Sequence, residues 1–256
     1  MNNIELNKVA IQSIGIDTIR LPGVGSASAK GSGSLFHKSL VDAWFMSGYS
    51  NDNPPASIKG YKGYELVLKN FAFTSNSGFG GSVDHSGGTD GGKAASSYEG
   101  SLVFDGVDDY AVCDNMPIQT DYTVICRRQI WDKQNDNETV VASKSTSYDK
   151  GAFIYELIKN NTNDRCRSFG TLSSILVEKS DSISYQTSTS YNGTNITKGT
   201  GTDTDILYLG DTRKGDNRYL YGAIYYFALY DKSLTPDEIE QEKIKLNEIW
   251  TKRLNR

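Results

Sequence analysis

Apolar and polar residues alternate at period two along much of this chain. In SLVFDGVDDYAV, residues 101–112, Leu102, Phe104, Tyr110 and Val112 fall on one face, interrupted by Asp105-Gly106 and two further aspartates. That pattern predicts two strands joined by a hairpin or a tight corner. Strand signals then recur at 109–113, 121–130, 138–143, 151–158, 165–169, 174–178, 182–189, 205–210 and 219–230. The turn sequences DG, DKQNDN, YDKG, NNTND, YNG and TRKGDN separate them, which is the spacing of an antiparallel β-sandwich. The chain closes on LTPDEIEQEKIKLNEIWTKRLNR, with Thr235 as N-cap, Pro236 at the first helical position and Glu238 completing a capping box. A C-terminal helix of about fifteen residues is predicted, with Ile239, Ile244, Leu246, Ile249 and Trp250 on its apolar side.

The N-terminal side is organised differently. Residues 4–21 alternate in short pieces, Ile4/Leu6, Val9/Ile11, Ile14/Ile16 and Ile19/Leu21, and GVGSASAKGSGS at 23–34 has the composition of a flexible linker. The expected division is an arm with its linker at 1–34 and one domain at 35–256. Such an arm cannot bury its own apolar face, so it is expected to add a strand to a partner or to intertwine with copies of itself in a homo-oligomer. Beyond the linker, an apolar patch around Trp44 leads through Pro54-Pro55 into a predicted strand at 64–73, and glycine and serine dominate a long loop at 74–97.

Composition supports the β reading: 16 tyrosines and 25 glycines stand against 5 prolines and 3 methionines in 256 residues. A net charge of −4, with Lys and Arg dispersed, offers no footprint for nucleic acid. The N-terminus lacks the basic start and apolar run of a signal peptide, and no stretch approaches 18 apolar residues, so the expectation is synthesis in a cytoplasm without export by that route and without a membrane anchor. The sequons at Asn137, Asn160, Asn192 and Asn195 then carry no weight. Cys113, Cys126 and Cys166 are an odd set without CxxC spacing and read as buried structural thiols.

Three pieces of the chain carry a resemblance: LVFDGVDDYAV with DYTVICRRQIW, the Asn-Gly hairpin SYNGTNIT, and YLYGAIYYFALYDKSLTPDEIEQE. Together they resemble the laminin-G-like, or concanavalin-A-like, jelly-roll superfamily. The resemblance implies an all-β fold, a laminin-G-like antiparallel sandwich with an extended N-terminal arm and a short C-terminal helix. The preceding LVDAWFMSGYSNDNPPASIKGYKGYELVLKNFAF is similar to the N-terminal part of such proteins in Bacteroides and in the crAss-like phages that infect them. That implies a virion surface component, a head-fibre or decoration protein attached to other virion proteins through its arm and displaying a sandwich that binds a host or mucosal glycan. The alternative is a bacterial carbohydrate-binding or adhesin-like module; a glycoside hydrolase comes third.

The chemistry favours binding over turnover. Hydrolases of the superfamily carry a Glu-x-Asp-x-x-Glu strand, and Glu65, Glu99, Glu138, Glu156 and Glu178 all lack that spacing, while Glu238, Glu240 and Glu242 fall on the helix. His37 and His85 are the only histidines, and no Gly-x-Ser-x-Gly elbow is present. No catalytic residues and no obligatory cofactor are therefore expected. Asp105, Asp108 and Asp109 could supply oxygens to Ca²⁺, or could cap the amides of the turn as Asx side chains do. The loop with Asp211, Arg213, Asp216, Asn217 and Arg218 is the candidate ligand-binding rim, its alternative being a solvated hairpin tip. Tyr148, Tyr185 and Tyr191 are the candidates for stacking on a sugar, whereas Trp44 and Trp250 read as core.

Overall fold

The computed structural model describes residues 34–74, 77–80, 98–131, 138–147, 150–158, 164–212 and 217–256. The arm and most of the linker and of the glycine-rich loop lie outside the described residues, which all belong to the unit Ser34–Arg256. The first strands are β1 (Leu40–Phe45), β2 (Ser57–Lys59), β3 (Glu65–Lys69) and β4 (Gly78–Phe79). They are followed by β5 (Leu102–Asp105), β6 (Tyr110–Cys113), β7 (Thr123–Ile130), β8 (Thr139–Ser147) and β9 (Lys150–Ile158). Next come β10 (Arg165–Ser168), β11 (Thr171–Ser174), β12 (Ser182–Thr187), β13 (Ser190–Tyr191) and β14 (Thr194–Asn195). β15 (Leu207–Leu209) and β16 (Tyr221–Tyr230) lead into the helix α1 (Pro236–Leu254).

Two antiparallel sheets of eight strands form the sandwich. One runs β14-β13-β12-β7-β16-β5-β4, with β1 also on β16; the other runs β11-β10-β9-β8-β15-β6-β3-β2. β16 is the spine of the first sheet. It pairs with β7 along its length, while β5 takes Tyr221–Ile224 and β1 takes Tyr226–Tyr230 on its other edge, with a register shift between Ile224 and Tyr226.

The stretch 101–112 is a corner and not a hairpin: β5 lies in the first sheet, β6 in the second. Gly106, at φ 78°, takes the left-handed conformation that an L side chain would resist there. The crossing also corrects the expected phase. Ala111 and Cys113 face the core, while Tyr110 and Val112 are half-buried on the other face, because a corner between sheets does not carry the period of one strand into the next. β11 forms at Thr171–Ser174 and not at 174–178, since Phe169 and Gly170, both at positive φ, make a tight turn from β10. The Asn192-Gly193 hairpin forms as expected between β13 and β14. β1 and β2, read only as an apolar patch and a Pro-Pro turn, are strands, β1 buried on both faces.

The main core lies between the sheets, with Trp44, Leu66, Phe104, Val124, Phe153, Leu209 and Phe227 among its members. A second cluster fills the space between the outer face of the first sheet and α1, through Phe45, Val103, Ile125, Tyr225, Tyr226, Ile239, Leu246 and Trp250. The capping box at Thr235 and Glu238 is formed, and α1 runs 19 residues. Ile244 is 61% exposed, correcting its assignment to the apolar side; it sits two residues from Leu246, about 200° round the helix. Glu242 takes that side instead, accepting from the Tyr230 hydroxyl at 3.0 Å and from Lys245 Nζ at 2.6 Å. All three cysteines are buried and free. No described helix is long and apolar enough to cross a membrane.

A buried ion pair joins the sheets. Arg128 on β7 donates to Glu156 on β9 through Nε at 2.6 Å and a terminal guanidinium nitrogen at 2.7 Å, with both side chains fully buried. Glu156 adopts φ 53°, a left-handed bulge that turns it inward beside Tyr155. The Tyr191 hydroxyl at 2.6 Å and Ser184 Oγ at 2.7 Å also donate to it. Burial opposes the Arg128 cation, but the Glu156 carboxylate more than offsets this and its pKa lies above the ordinary arginine value. Arg128→Met or Glu156→Gln alone should lower the free energy of unfolding by about 3–5 kcal/mol, because one charge stays buried without its partner. Arg128→Met combined with Glu156→Gln should cost less than the sum of the two in guanidinium unfolding; simple additivity would show that the two groups do not act as a pair.

Candidate functional site

A buried carboxylate shapes the loop between β2 and β3. Asp42, on β1, is fully buried and accepts from the backbone amides of Ala43 and Lys62, each at 2.7 Å, and Tyr64 at 2.8 Å. Burial raises its pKa against the pull of these amides. Gly60 must be glycine for this wrapping, since a Cβ there would stand 2.2 Å from an Asp42 carboxylate oxygen. Tyr61 N donates to Ala43 O at 2.9 Å, and Trp44 Nε1 to Tyr64 O at 3.0 Å. The loop so held turns Tyr61 outward, the residue 48% exposed and its ring edge-on to Phe36 at 4.9 Å.

Tyr61 forms one wall of a cavity of about 450 Å³; Leu35, Gly48 and the end of α1, with Ile249, Lys252, Arg253 and Arg256, form the rest. That size falls among small-ligand clefts, which run from about 300 to 1,000 Å³. Arg253 is held by aromatic faces, its guanidinium carbon 5.7 Å from the Phe45 ring centre and 5.8 Å from that of Tyr49, and it reaches the Tyr49 hydroxyl at 3.5 Å. A second cavity of about 290 Å³, also bordered by Gly48, lies between Tyr49, Phe79, Glu99, Ser101 and Leu254. Trp250 fixes that side of the helix, donating from Nε1 to Gly100 O at 2.8 Å.

This site was not legible in the sequence as a site. Tyr61 is 191 residues from Lys252 in the chain, and its one local signal was the glycine flanking of GYKGY. The residues that the sequence singled out are placed elsewhere. Tyr191 is buried, with its hydroxyl on Glu156, which corrects the expectation of an exposed stacking ring. Tyr185 is half-buried beneath Lys243 Nζ, 4.8 Å from its ring centre. Asp211 is fully buried, not a member of an open rim. Asn217 is exposed at φ 55°, and Arg218 is paired with Glu138 at 2.9 Å. Tyr148, Arg213 and Asp216 lie outside the described residues.

Comparison with solved structures finds the same architecture. The sialidase of Trypanosoma rangeli in complex with sialic acid is similar at a TM-score of 0.52 and 13% identity, over 85% of this chain and 34% of that one. The binding domain of botulinum neurotoxin serotype D is similar at 0.51 and 11% identity, over 82% of this chain and 51% of that one. The fold is a jelly-roll β-sandwich. This chain thus spans about a third of the sialidase and about half of the toxin binding domain. No protein-family profile and no curated protein matches the sequence.

In this jelly roll, the corner between β5 and β6 brings Asp105, Asp108 and Asp109 together, with one carboxylate oxygen from each within 4.8 Å of the others. Their hydrogen bonds are those of a turn. Asp105 Oδ1 accepts from Val107 N at 2.7 Å, Asp109 Oδ2 from Asp105 N at 2.9 Å, and Asn70 Nδ2 donates to the Asp108 carbonyl at 3.0 Å. Burial, reinforced by the Asp105 and Asp108 charges, pushes the Asp109 carboxyl up to about 8. Asp109 therefore keeps its proton in the folded chain over a range in which the unfolded chain, at the usual carboxylate value, has lost it. Its contribution to stability is complete below about pH 4 and is lost as pH rises towards 8, at a slope of at most about 1.4 kcal/mol per pH unit. Asp109→Asn should flatten the stability profile between pH 5 and 8 in urea titrations; parallel curves for the two proteins would rule the assignment out.

Proposed function

We propose that this chain is a non-catalytic glycan-binding jelly roll, displayed as a virion structural protein of head-fibre or decoration type. One observation carries the glycan-binding reading: an exposed tyrosine ring, held in place through the buried Asp42, stands over a cavity of small-ligand size. A pyranose ring presents an apolar face to an aromatic wall and hydroxyls to the polar rim, and aromatic residues with a polar tip suit such half-wet surfaces. The fold likeness to the sialidase and the toxin binding domain supports this reading. The absence of a Glu-x-Asp-x-x-Glu strand favours binding without hydrolysis. The virion placement is supported by the resemblance of residues 40–73 and by the alternating arm at 4–21 beside its Gly/Ser linker.

A glycan array followed by calorimetry on the full chain should identify a binding sugar. Tyr61→Ala should weaken its binding about tenfold or more, equivalent to at least roughly 1.4 kcal/mol, without shifting the melting temperature. An array without hits, or a Tyr61→Ala protein of unchanged affinity, would overturn the site. Light scattering should find the full chain as a defined oligomer; a monomer at micromolar concentration would remove the support that the arm lends to the virion reading.

A further inference from the structure

The cations around the cavity are distributed in a way that the fold itself does not explain. Elsewhere in the sandwich, Arg127, Arg128, Arg165 and Arg218 each hold a carboxylate, at 2.7, 2.6, 2.6 and 2.9 Å. Among the described residues, no Asp or Glu side chain lies within ion-pair distance of Arg253 or Arg256, and Lys252 has only a contact of 3.8 Å with the exposed Glu248. No acidic residue lines the larger cavity, although the chain as a whole carries a net charge of −4. Cations in the last turn of a helix complement its dipole, which accounts for Lys252 and Arg253 in part. The dipole accounts neither for Arg256, which follows the C-cap Asn255, nor for the exposed Tyr61 ring among the residues that line the same cavity.

We infer that the ligand of this cavity is an acidic sugar, whose carboxylate is taken by Arg253 and Arg256 while its ring packs against Tyr61. This deepens the glycan-binding reading and rests on it. The guanidinium group is planar and always charged, and its fork of donors matches a carboxylate in two parallel hydrogen bonds. Arg253 is also preorganised: its placement over Phe45 and Tyr49 limits the freedom that binding would otherwise remove. A neutral sugar would bring these cations no anionic partner and gain only the aromatic wall.

The decisive experiment titrates the full chain with 3′-sialyllactose, lactose, a glucuronate-containing disaccharide and a sulfated disaccharide, in low and in raised salt. The expected result is binding of the two carboxylated probes, weakened by salt, with lactose at least about tenfold weaker, as loss of a charge-assisted pair implies, and with the sulfated probe bound no more tightly than the carboxylated ones. Arg253→Gln should remove the preference for the carboxylated probes and leave the weak lactose affinity in place. Arg256→Gln, at an exposed position after the helix, is the second variant should Arg253→Gln disturb the packing on Phe45. Equal affinity for lactose and sialyllactose, insensitive to both substitutions, would overturn the acidic-sugar inference while leaving a glycan site. Selective binding of the sulfated probe would overturn the assignment of a carboxylate. Failure of every probe to bind, together with an array without hits, would overturn the glycan reading itself.

Discussion

The ion pair between Arg128 and Glu156 ties together the two sheets on which every other feature is mounted. Two charges in a dry interior are tolerated only when each is neutralised and hydrogen-bonded, and here the carboxylate is met by the guanidinium, Tyr191 and Ser184. The geometry requires Glu156 to turn inward at a left-handed position, so the phase of β9 changes there: Tyr155 and Ile158 belong to the main core, while Ile154 and Leu157 lie in a small separate cluster with Val140. One local bulge thus fixes which residues of β9 meet β7 and which face outward. Hydrophobic packing alone is tolerant of sliding between sheets. A bidentate pair is not.

Asp42 plays the corresponding part at the site. It too is a carboxylate taken out of water, but its partners are backbone amides and not a cation. Those amides belong to the loop that carries Tyr61, so the cost of burying Asp42 is offset only while the loop keeps its shape. α1 closes the other side. Trp250 is anchored on Gly100, and Arg127 stacks on Trp250 at 4.3 Å while holding Asp181 through two hydrogen bonds. The helix end that presents Arg253 is therefore fixed by the Arg127 side chain of the sheet and by the Gly100 carbonyl of the 98–101 segment. A rigid frame with a polar, cationic rim is what small-ligand recognition asks of a scaffold.

The contrast between arginines follows from the same frame. Arg127 and Arg128 on β7, Arg165 on β10 and Arg218 just before β16 satisfy carboxylates that the sandwich itself provides. Those at the end of α1 line a cavity whose other walls are Leu35, Gly48, Ile249 and the Tyr61 ring, with no Asp or Glu side chain among them. A cation at an aromatic face keeps most of its capacity to accept an anion, since the ring engages one side and the donor fork remains.

The sequence by itself determined the all-β class, most of the strands from β5 to β16, the Asn192-Gly193 hairpin and the capped C-terminal helix, because each is encoded by local signals: period two, turn residues and a capping box. It also disfavoured a glycosidase of the Glu-x-Asp-x-x-Glu kind, whose signature is local as well. Only the tertiary structure decided that Asp105-Gly106 is a crossing between sheets, since a turn looks alike whether its strands pair with each other or with distant partners. Tyr191 had the composition of an exposed platform but lies where Glu156 needed a donor, a partner 35 residues away. Tyr61, Arg253 and Arg256 meet at one cavity because β1 and α1 both depend on β16 and its sheet, the strand by pairing and the helix by packing on the outer face. No period or motif records that long-range coincidence; it exists only once the sheet has closed.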